Sequence, residues 1–289
     1  MALTETDGVS DTFQRKIEIS PENFARLAEF IARELGIKMP ATGTILIQTR
    51  LMHRVGSLGL ESIDHYADYL FAPQNWAERE HFINAITTNK TDFFREAEHF
   101  TYLNDAVLPD IAGQRARCTR FKAWSAGCSS GEEAYTLAMV LAEYSARQPG
   151  FDFAILATDI STKVLDQARV AIYPQAQILP VPPELRIRYL LSGRRGTARL
   201  ARVRPSLRMR VSFHQLNFMD DHYPVKDLFD VIFFRNVMIY FDRPTQEAVV
   251  NKLCRNLASG GYFFAGHSES LTGMDVPLQL VRASVYRKE

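Results

Sequence analysis

Ser125-Ala126-Gly127-Cys128-Ser129-Ser130-Gly131, followed at once by Glu132 and Glu133, is the segment whose residue types most plainly suggest chemistry. An apolar run ends at it, a helical pattern starts after it, and its small side chains let backbone approach a ligand closely. Turns that cradle a polyphosphate carry lysine or several more glycines, and they place the anion on the positive end of the following helix. Here two carboxylates already occupy that end and no lysine is near, so a cationic ligand suits the turn better. Taken alone, the segment also fits any tight strand-to-helix connection. About 30 residues further on, a second apolar run closes with Ala157-Thr158-Asp159. An acid there is placed to accept both hydroxyls of a ribose, or to cap the helix that starts near Ser161. The two features together describe a nucleoside with positive charge and no phosphate. S-adenosylmethionine, an adenosine bearing a sulfonium and an ammonium group, is such a molecule.

These residues need a scaffold. The chain has 289 residues, which suggests about two domains, and 46% hydrophobic content is ample for a core. Formal net charge is +1, so global charge names no partner. Cys118, Cys128 and Cys254 are far apart with no metal-ligand spacing, and an odd, sparse set fits a reducing compartment. The first residues are polar with no apolar signal region, and no apolar run approaches membrane-spanning length, so a cytoplasmic protein is expected. Residues 1–18 read as a mobile polar tail. Ser20-Pro21-Glu22 is a helix start, Phe24, Leu27, Ala28, Ile31 and Leu35 follow at helical spacing, and Gly36 stops the run. Amphipathic stretches at 44–56, 62–71 and 74–86 complete a helical domain, 1–87. From 88 to 289 short apolar runs (FKAWSAG, FDFAILATDI, MRVSFHQLNF, DLFDVIFFRN, GGYFFAGH) alternate with helical stretches at 131–147, 161–171 and 244–258. That rhythm predicts an α/β domain with a parallel sheet covered on both faces. Residues 175–212 break it with a proline cluster and nine arginines from 186 to 210 without one acid. A small β insert is expected there, with a hairpin or three strands around Ser192–Gly196 and strands at 185–191 and 199–204.

NKTDFFREAEHF (89–100), WSAGCSSGEEAYTLAM, ATDIS, LNFMD and FDVIFFRNVMIYFD (229–242) stand in this order, and the chain resembles the chemotaxis receptor methyltransferases, the CheR family, over about residues 20–288. Ala134 stands where that pattern has proline, and Phe234 where it often has cysteine; neither position needs a functional side chain. The resemblance implies a Rossmann-like methyltransferase sheet with the β insert, preceded by the all-helical domain. It implies transfer of a methyl group from S-adenosylmethionine to glutamate side chains of the cytoplasmic domains of chemoreceptors, with S-adenosylhomocysteine as product and no metal. It further implies cofactor contacts at Asn89, Thr91, Arg95, Glu133, Asp159, Asn217, Phe218, Arg235 and Asn236. Residue chemistry agrees for several. Asn217 and Phe218 end a strand and offer an amide and an apolar face to adenine. Arg235 closes a buried strand, which is expensive unless the charge is paired. Asn89 or Thr91 can equally cap the helix near Asp92, and Glu132 competes with Glu133 for the main contact.

A glutamate acceptor is already ionised at neutral pH, so no general base is needed, and the sequence offers no evident catalytic His or Asp pair. What remains is alignment and exclusion of water. Arg95, which can fork onto a carboxylate, and Tyr240, which follows the strand 229–234, are the residues expected to do this. Some family members hold a receptor's C-terminal peptide on the insert, and Arg194, Arg195 and Arg199 could pair with its acids or terminal carboxylate. The helical stretch 44–60, with Arg50, His53, Arg54 and no acid, would favour docking of glutamate-rich receptor helices. Two rival readings exist. The arginine strip could track RNA, although no PC dipeptide, NPPY-like segment or separate RNA-binding module is present. A cofactor-binding module without catalysis is the other, and intact Arg95, Tyr240 and Asp159 argue against it.

Overall fold

The computed structural model describes residues 18–114 and 120–289. Residues 1–17 of the expected tail, and Cys118, lie outside the described residues. The chain divides into two compact units, one ending at Thr88 and the other spanning Asn89–Glu289.

The first unit holds α1 (Pro21–Leu35), α2 (Thr44–Ser57), α3 (Ile63–Phe71) and α4 (Glu78–Ile86). The Ser20 hydroxyl oxygen accepts the Asn23 N–H, Pro21 presets the first turn, and Gly36 closes α1 at φ 67°. Leu27, Ile31, Ile47, Leu51, Ile63 and Phe82 are fully buried and form its core. The basic stretch expected on 44–60 is largely used internally. Arg54 donates from Nε and Nη2 to the Glu78 carboxylate at 2.7 and 2.5 Å, and the Tyr66 hydroxyl donates to the same group at 2.9 Å. The reason is burial: burial raises the Glu78 carboxyl, and the hydrogen bonds from Arg54 and Tyr66, together with the charge of Arg54, bring it below the ordinary range. Arg50 donates to the Thr87 carbonyl and the Thr88 hydroxyl.

The second unit opens with α5 (Ala97–Tyr102), which runs through a π turn (Leu103–Val107) into α6 (Leu108–Gln114). Its strands are β1 (Phe121–Ala126), β2 (Phe153–Asp159), β3 (Ile172–Pro174), β4 (Leu190–Arg195), β5 (Ala198–Val203), β6 (Val211–Gln215), β7 (Phe229–Phe234), β8 (Leu257–Ala265), β9 (Leu278–Arg282) and β10 (Val285–Lys288). Between them lie α7 (Glu132–Arg147), α8 (Thr162–Val170), α9 (Pro183–Tyr189), α10 (Pro205–Arg208) and α11 (Arg243–Arg255). Seven strands form one sheet in the order β6-β2-β1-β7-β8-β10-β9. The first five are parallel, and β10 and β9 add an antiparallel edge. Successive side chains of β1 divide between two cores: Phe121 and Ala123 join the one containing α7, while Trp124 and Ala126 join the one containing α11. Both faces are therefore covered, which is why the strands read as continuous apolar runs.

Strand order reverses between β1, whose successors lie to one side, and β7, which starts the other side. A crevice opens at such a switch point beyond the carboxyl ends of the strands. The insert is a three-stranded antiparallel sheet, β3-β5-β4. Its strands differ from those expected. The segment 185–191 is mostly helix α9, because Pro182-Pro183-Glu184 repeats the proline-led helix start seen at Pro21. The strand follows it, and the third strand, β3, precedes the proline cluster.

Candidate active site

The turn after β1 is held from three directions. The N–H groups of Gly127 and Cys128 both donate to the Thr158 carbonyl, at 2.8 and 2.9 Å. The Ser129 N–H donates to Oδ2 of Asp159 at 2.9 Å, and the Ser129 hydroxyl donates to the Asn89 carbonyl at 2.8 Å. Gly127 has φ 83°, and a Cβ there would lie 2.5 Å from Cγ2 of Val237, so only glycine closes the turn this tightly. Asp159 is buried, and its Oδ1 accepts the Ser161 N–H at 3.0 Å. It thus both caps the start of α8 and braces the turn, and each oxygen keeps acceptor capacity for a ligand hydroxyl. Burial raises its carboxyl, partly offset by these backbone donors.

Glu132 and Glu133 are both buried. Burial pushes the Glu132 carboxyl up to about 6, against the pull of the Ser130 hydroxyl that donates to it. Glu133 accepts the Ser125 hydroxyl at 2.6 Å and Nε of Arg235 at 2.8 Å. Arg235 supplies the pairing that its position demands. Its Nη1 donates to Nδ1 of His99 at 2.9 Å and reaches Glu96 at 3.5 Å, while Nη2 donates to the Arg95 carbonyl at 2.8 Å. The guanidinium also lies over the rings of Phe100 and Phe233 at 5.2 and 5.7 Å. It clamps the segment 95–99 to the start of α7.

The chain beside Arg95 is strained: Phe94 and Glu96 have φ 54° and 56°; Asn236, at φ 58°, faces the same cluster, and Ser129 takes φ 49° in the turn after β1. Asn236 donates from Nδ2 to Glu96 at 3.2 Å. Arg95 donates from Nη1 to the Lys90 carbonyl and is half-buried. Thr91 is half-buried on the same segment. Phe218 packs edge-on against Phe234 at 5.0 Å beside Gly127, and Asn217 caps its own turn by accepting the Met219 N–H. Tyr240, half-buried, ends the short 3-10 turn Met238–Tyr240 that follows Asn236. Arg194, Arg195 and Arg199 stand apart from this network, exposed on the β4–β5 hairpin with Arg194 opposite Arg199.

Three contributors carried no clear sequence signal. The buried Glu269 carboxylate accepts backbone N–H groups of Gly266, Asn236 and Ile239 at 2.7, 2.8 and 3.3 Å, and so shapes the loop that carries Tyr240. Lys252 donates to the carbonyls of Phe218 and Asp220. His99 donates from Nε2 to the Ser284 hydroxyl at 2.8 Å while Nδ1 accepts from Arg235. Burial, then the charge of Arg235, pushes the imidazole down to about 3, so it stays neutral. Glu96, His99 and His267 bring ligand atoms within 4.8 Å of one another. The lone pair a metal would need on His99 is already taken by the Arg235 guanidinium, whose charge would repel the ion.

Two family descriptions match successive parts of this chain: "CheR methyltransferase, all-alpha domain" matches residues 22–87, and "CheR methyltransferase, SAM binding domain" matches residues 89–287. The chemotaxis protein methyltransferase of Borreliella burgdorferi is 36% identical over 279 residues, covering 96% of this chain and 97% of the relative. That of Escherichia coli is 37% identical over 271 residues, covering 94% and 92%. Chemotaxis protein methyltransferase 2 of Pseudomonas aeruginosa is 38% identical over 267 residues, covering 92% of each.

Proposed function

The chain belongs to the CheR methyltransferase family, and we propose that it esterifies glutamate side chains of chemoreceptors at the switch-point crevice. It is an S-adenosylmethionine-dependent methyltransferase that acts on chemoreceptors in adaptation. The observation that carries the site assignment is the turn Gly127–Gly131 braced by Asp159. It has no cationic side chain, it is followed by two buried carboxylates, and it closes only with glycine at 127. That donor set fits a cationic nucleoside and not a polyphosphate. Asp159 would accept the ribose hydroxyls, with Asn217 and Phe218 at the base and the segment carrying Asn89, Thr91 and Arg95 closing over the other end. Glu133, Arg235 and Asn236 form the frame that holds these groups. S-adenosylmethionine supplies an electrophilic methyl group on its sulfonium.

The acceptor glutamate arrives ionised, so no residue has to remove a proton. His99, neutral and held between Arg235 and Ser284, is not placed to act as a base. Arg95 uses one of its N–H groups on the Lys90 carbonyl and keeps the rest of its fork for a carboxylate. Tyr240, on the loop fixed by Glu269, orients the reacting centre through its hydroxyl.

The insert adds the finer part of the proposal. β4 is an edge strand, exposed from Leu191 to Arg195, and an open edge accepts an extended peptide. Arg194, Arg195 and Arg199 would pair there with a receptor tail. The arginine strip itself is interrupted, since Arg188 pairs with Glu143 and Arg210 with Asp152, which weakens the RNA reading. Methylation of the receptors' cytoplasmic domains would take place in the cytoplasm; among the described residues no helix is long and apolar enough to cross a membrane. The test is to incubate the protein with methyl-labelled cofactor and membranes carrying chemoreceptors. Base-labile methyl label on the receptors is the expected result, and its absence with active cofactor would sink the proposal.

A further inference from the structure

The insert reaches the turn after β1 through Tyr173. Tyr173 lies on β3, 3% exposed, and its hydroxyl donates to the Ser130 carbonyl at 2.7 Å. Its ring meets Phe93 edge-on at 5.0 Å and Tyr135 at 6.4 Å. Phe93 belongs to the strained segment that carries Thr91 and Arg95. The fit is tight: a Cβ on Gly131 would lie 3.1 Å from the Tyr173 hydroxyl oxygen and 2.8 Å from the Ala168 methyl carbon. The other residues of the turn have their own anchors, on Thr158, Asp159 and Asn89. The Ser130 carbonyl has Tyr173. The strand that presents it is fixed in turn. Ala171 takes φ 55°, and its carbonyl accepts the Val203 N–H at 3.0 Å. Tyr173 stands opposite Ala201 of β5, which stands opposite Ser192 of β4. Burial raises the phenol well above its ordinary range, so the hydroxyl remains a donor at any working pH.

We propose that Tyr173 is a positioning residue for the cofactor: it transmits the placement of the β insert to the Ser130 carbonyl and so sets the shape of the turn that faces S-adenosylmethionine. It touches no reacting atom. The proposal rests on the reading of Gly127–Gly131 as the cofactor turn. Its consequence is a split between binding and turnover. Removing one hydrogen bond to a buried carbonyl loosens the turn before the cofactor arrives, and the bound state has to re-order it.

The experiment compares wild type, Tyr173→Phe and Tyr173→Leu for S-adenosylhomocysteine affinity by calorimetry, kinetics, and unfolding in urea. Tyr173→Phe keeps the ring and its contacts with Phe93 and Tyr135. It should weaken S-adenosylhomocysteine binding roughly three- to tenfold, raise the KM for S-adenosylmethionine by a similar factor, and leave kcat at saturating cofactor within about twofold. Tyr173→Leu should bind more weakly still and unfold at lower urea. If wild type binds S-adenosylhomocysteine and Tyr173→Phe binds it equally well, the turn keeps its assignment and the Tyr173 proposal falls. If wild type itself takes up none, the cofactor reading of the turn fails and the proposal falls with it.

Discussion

A few side chains in the crevice do more than one task. Asp159 braces the turn through Ser129, caps α8 through Ser161, and is the group proposed to accept the ribose. Asp159→Asn keeps the shape but puts a donor amide where two N–H groups already donate. Cofactor affinity should fall roughly tenfold or more, since hydrogen bonds to a charged group contribute about 1.5–3 kcal/mol each. Unchanged calorimetric binding in a folded variant would remove Asp159 from the site. Tyr240→Phe loses only a hydroxyl, and turnover should drop while cofactor affinity stays near wild type; equal turnover would take the hydroxyl out of the mechanism. His99 gives a pH prediction. Its ordinary value is 6.5 and the folded protein holds it near about 3. As pH falls below about 6.5 the unfolded chain takes up a proton that the folded one refuses, so stability is lost toward about pH 3 at up to roughly 1.4 kcal/mol per unit. Glu132, raised to about 6, acts in the opposite sense: its contribution is present at low pH and is lost as pH rises from about 4.5 to about 6. The diagnostic quantity is therefore the difference between wild type and His99→Gln, followed by urea unfolding from pH 7 to pH 5. His99→Gln should lose less on acidification; parallel curves would mean that the imidazole is not held neutral.

Elements decide which of these groups meet. Gly127 turns the chain at the end of β1, and a Cβ on it would lie 2.5 Å from Cγ2 of Val237. Gly127→Ala should destabilise the protein by about 1–3 kcal/mol and depress cofactor binding, with partial recovery in Gly127→Ala/Val237→Ala. A single variant as stable as wild type would show that the turn is looser than described. Much at this scale was readable in advance. The five apolar runs became the parallel strands, and Asp159 and Asn236 fall where a strand-end rule puts ligand groups. The helix at Pro183–Tyr189 was missed although its proline-led start repeats that of Pro21, because Leu185, Ile187 and Tyr189, separated by Arg186 and Arg188, also suit strand alternation. β9 and β10 were missed because LQLVR and VYRK are short, carry neither a continuous apolar run nor a sustained alternation, and turn at Ser284, φ 56°, without a glycine. The Arg235 clamp was legible only as a need. One sequence shows that a buried guanidinium requires partners, but Glu133, Glu96 and His99 lie more than a hundred positions away, and topology alone selects them.

At the scale of the whole chain, Arg194, Arg195 and Arg199 are a cluster of like charge exposed on the hairpin of the insert. A tether works by raising local concentration, so modest affinity for a receptor tail is enough. Replacing Arg194, Arg195 and Arg199 by alanine should weaken tail-peptide binding and slow methylation of full-length receptors. It should leave methylation of a receptor fragment without its tail unchanged, measured under the same salt. Equal rates on both substrates would make the three arginines a solvated face. The crevice, by contrast, draws on nearly the full length of its unit, and its last contact joins His99 to Ser284 across 185 positions. A nascent chain lacks Gly266, Glu269 and Ser284 until every earlier part of the crevice has been made. S-adenosylmethionine therefore meets a complete crevice only after these residues are in place. It adds stability by mass action to the folded molecule that binds it, and a chain cut before Ser284, without the contact that holds His99, should gain less from the cofactor.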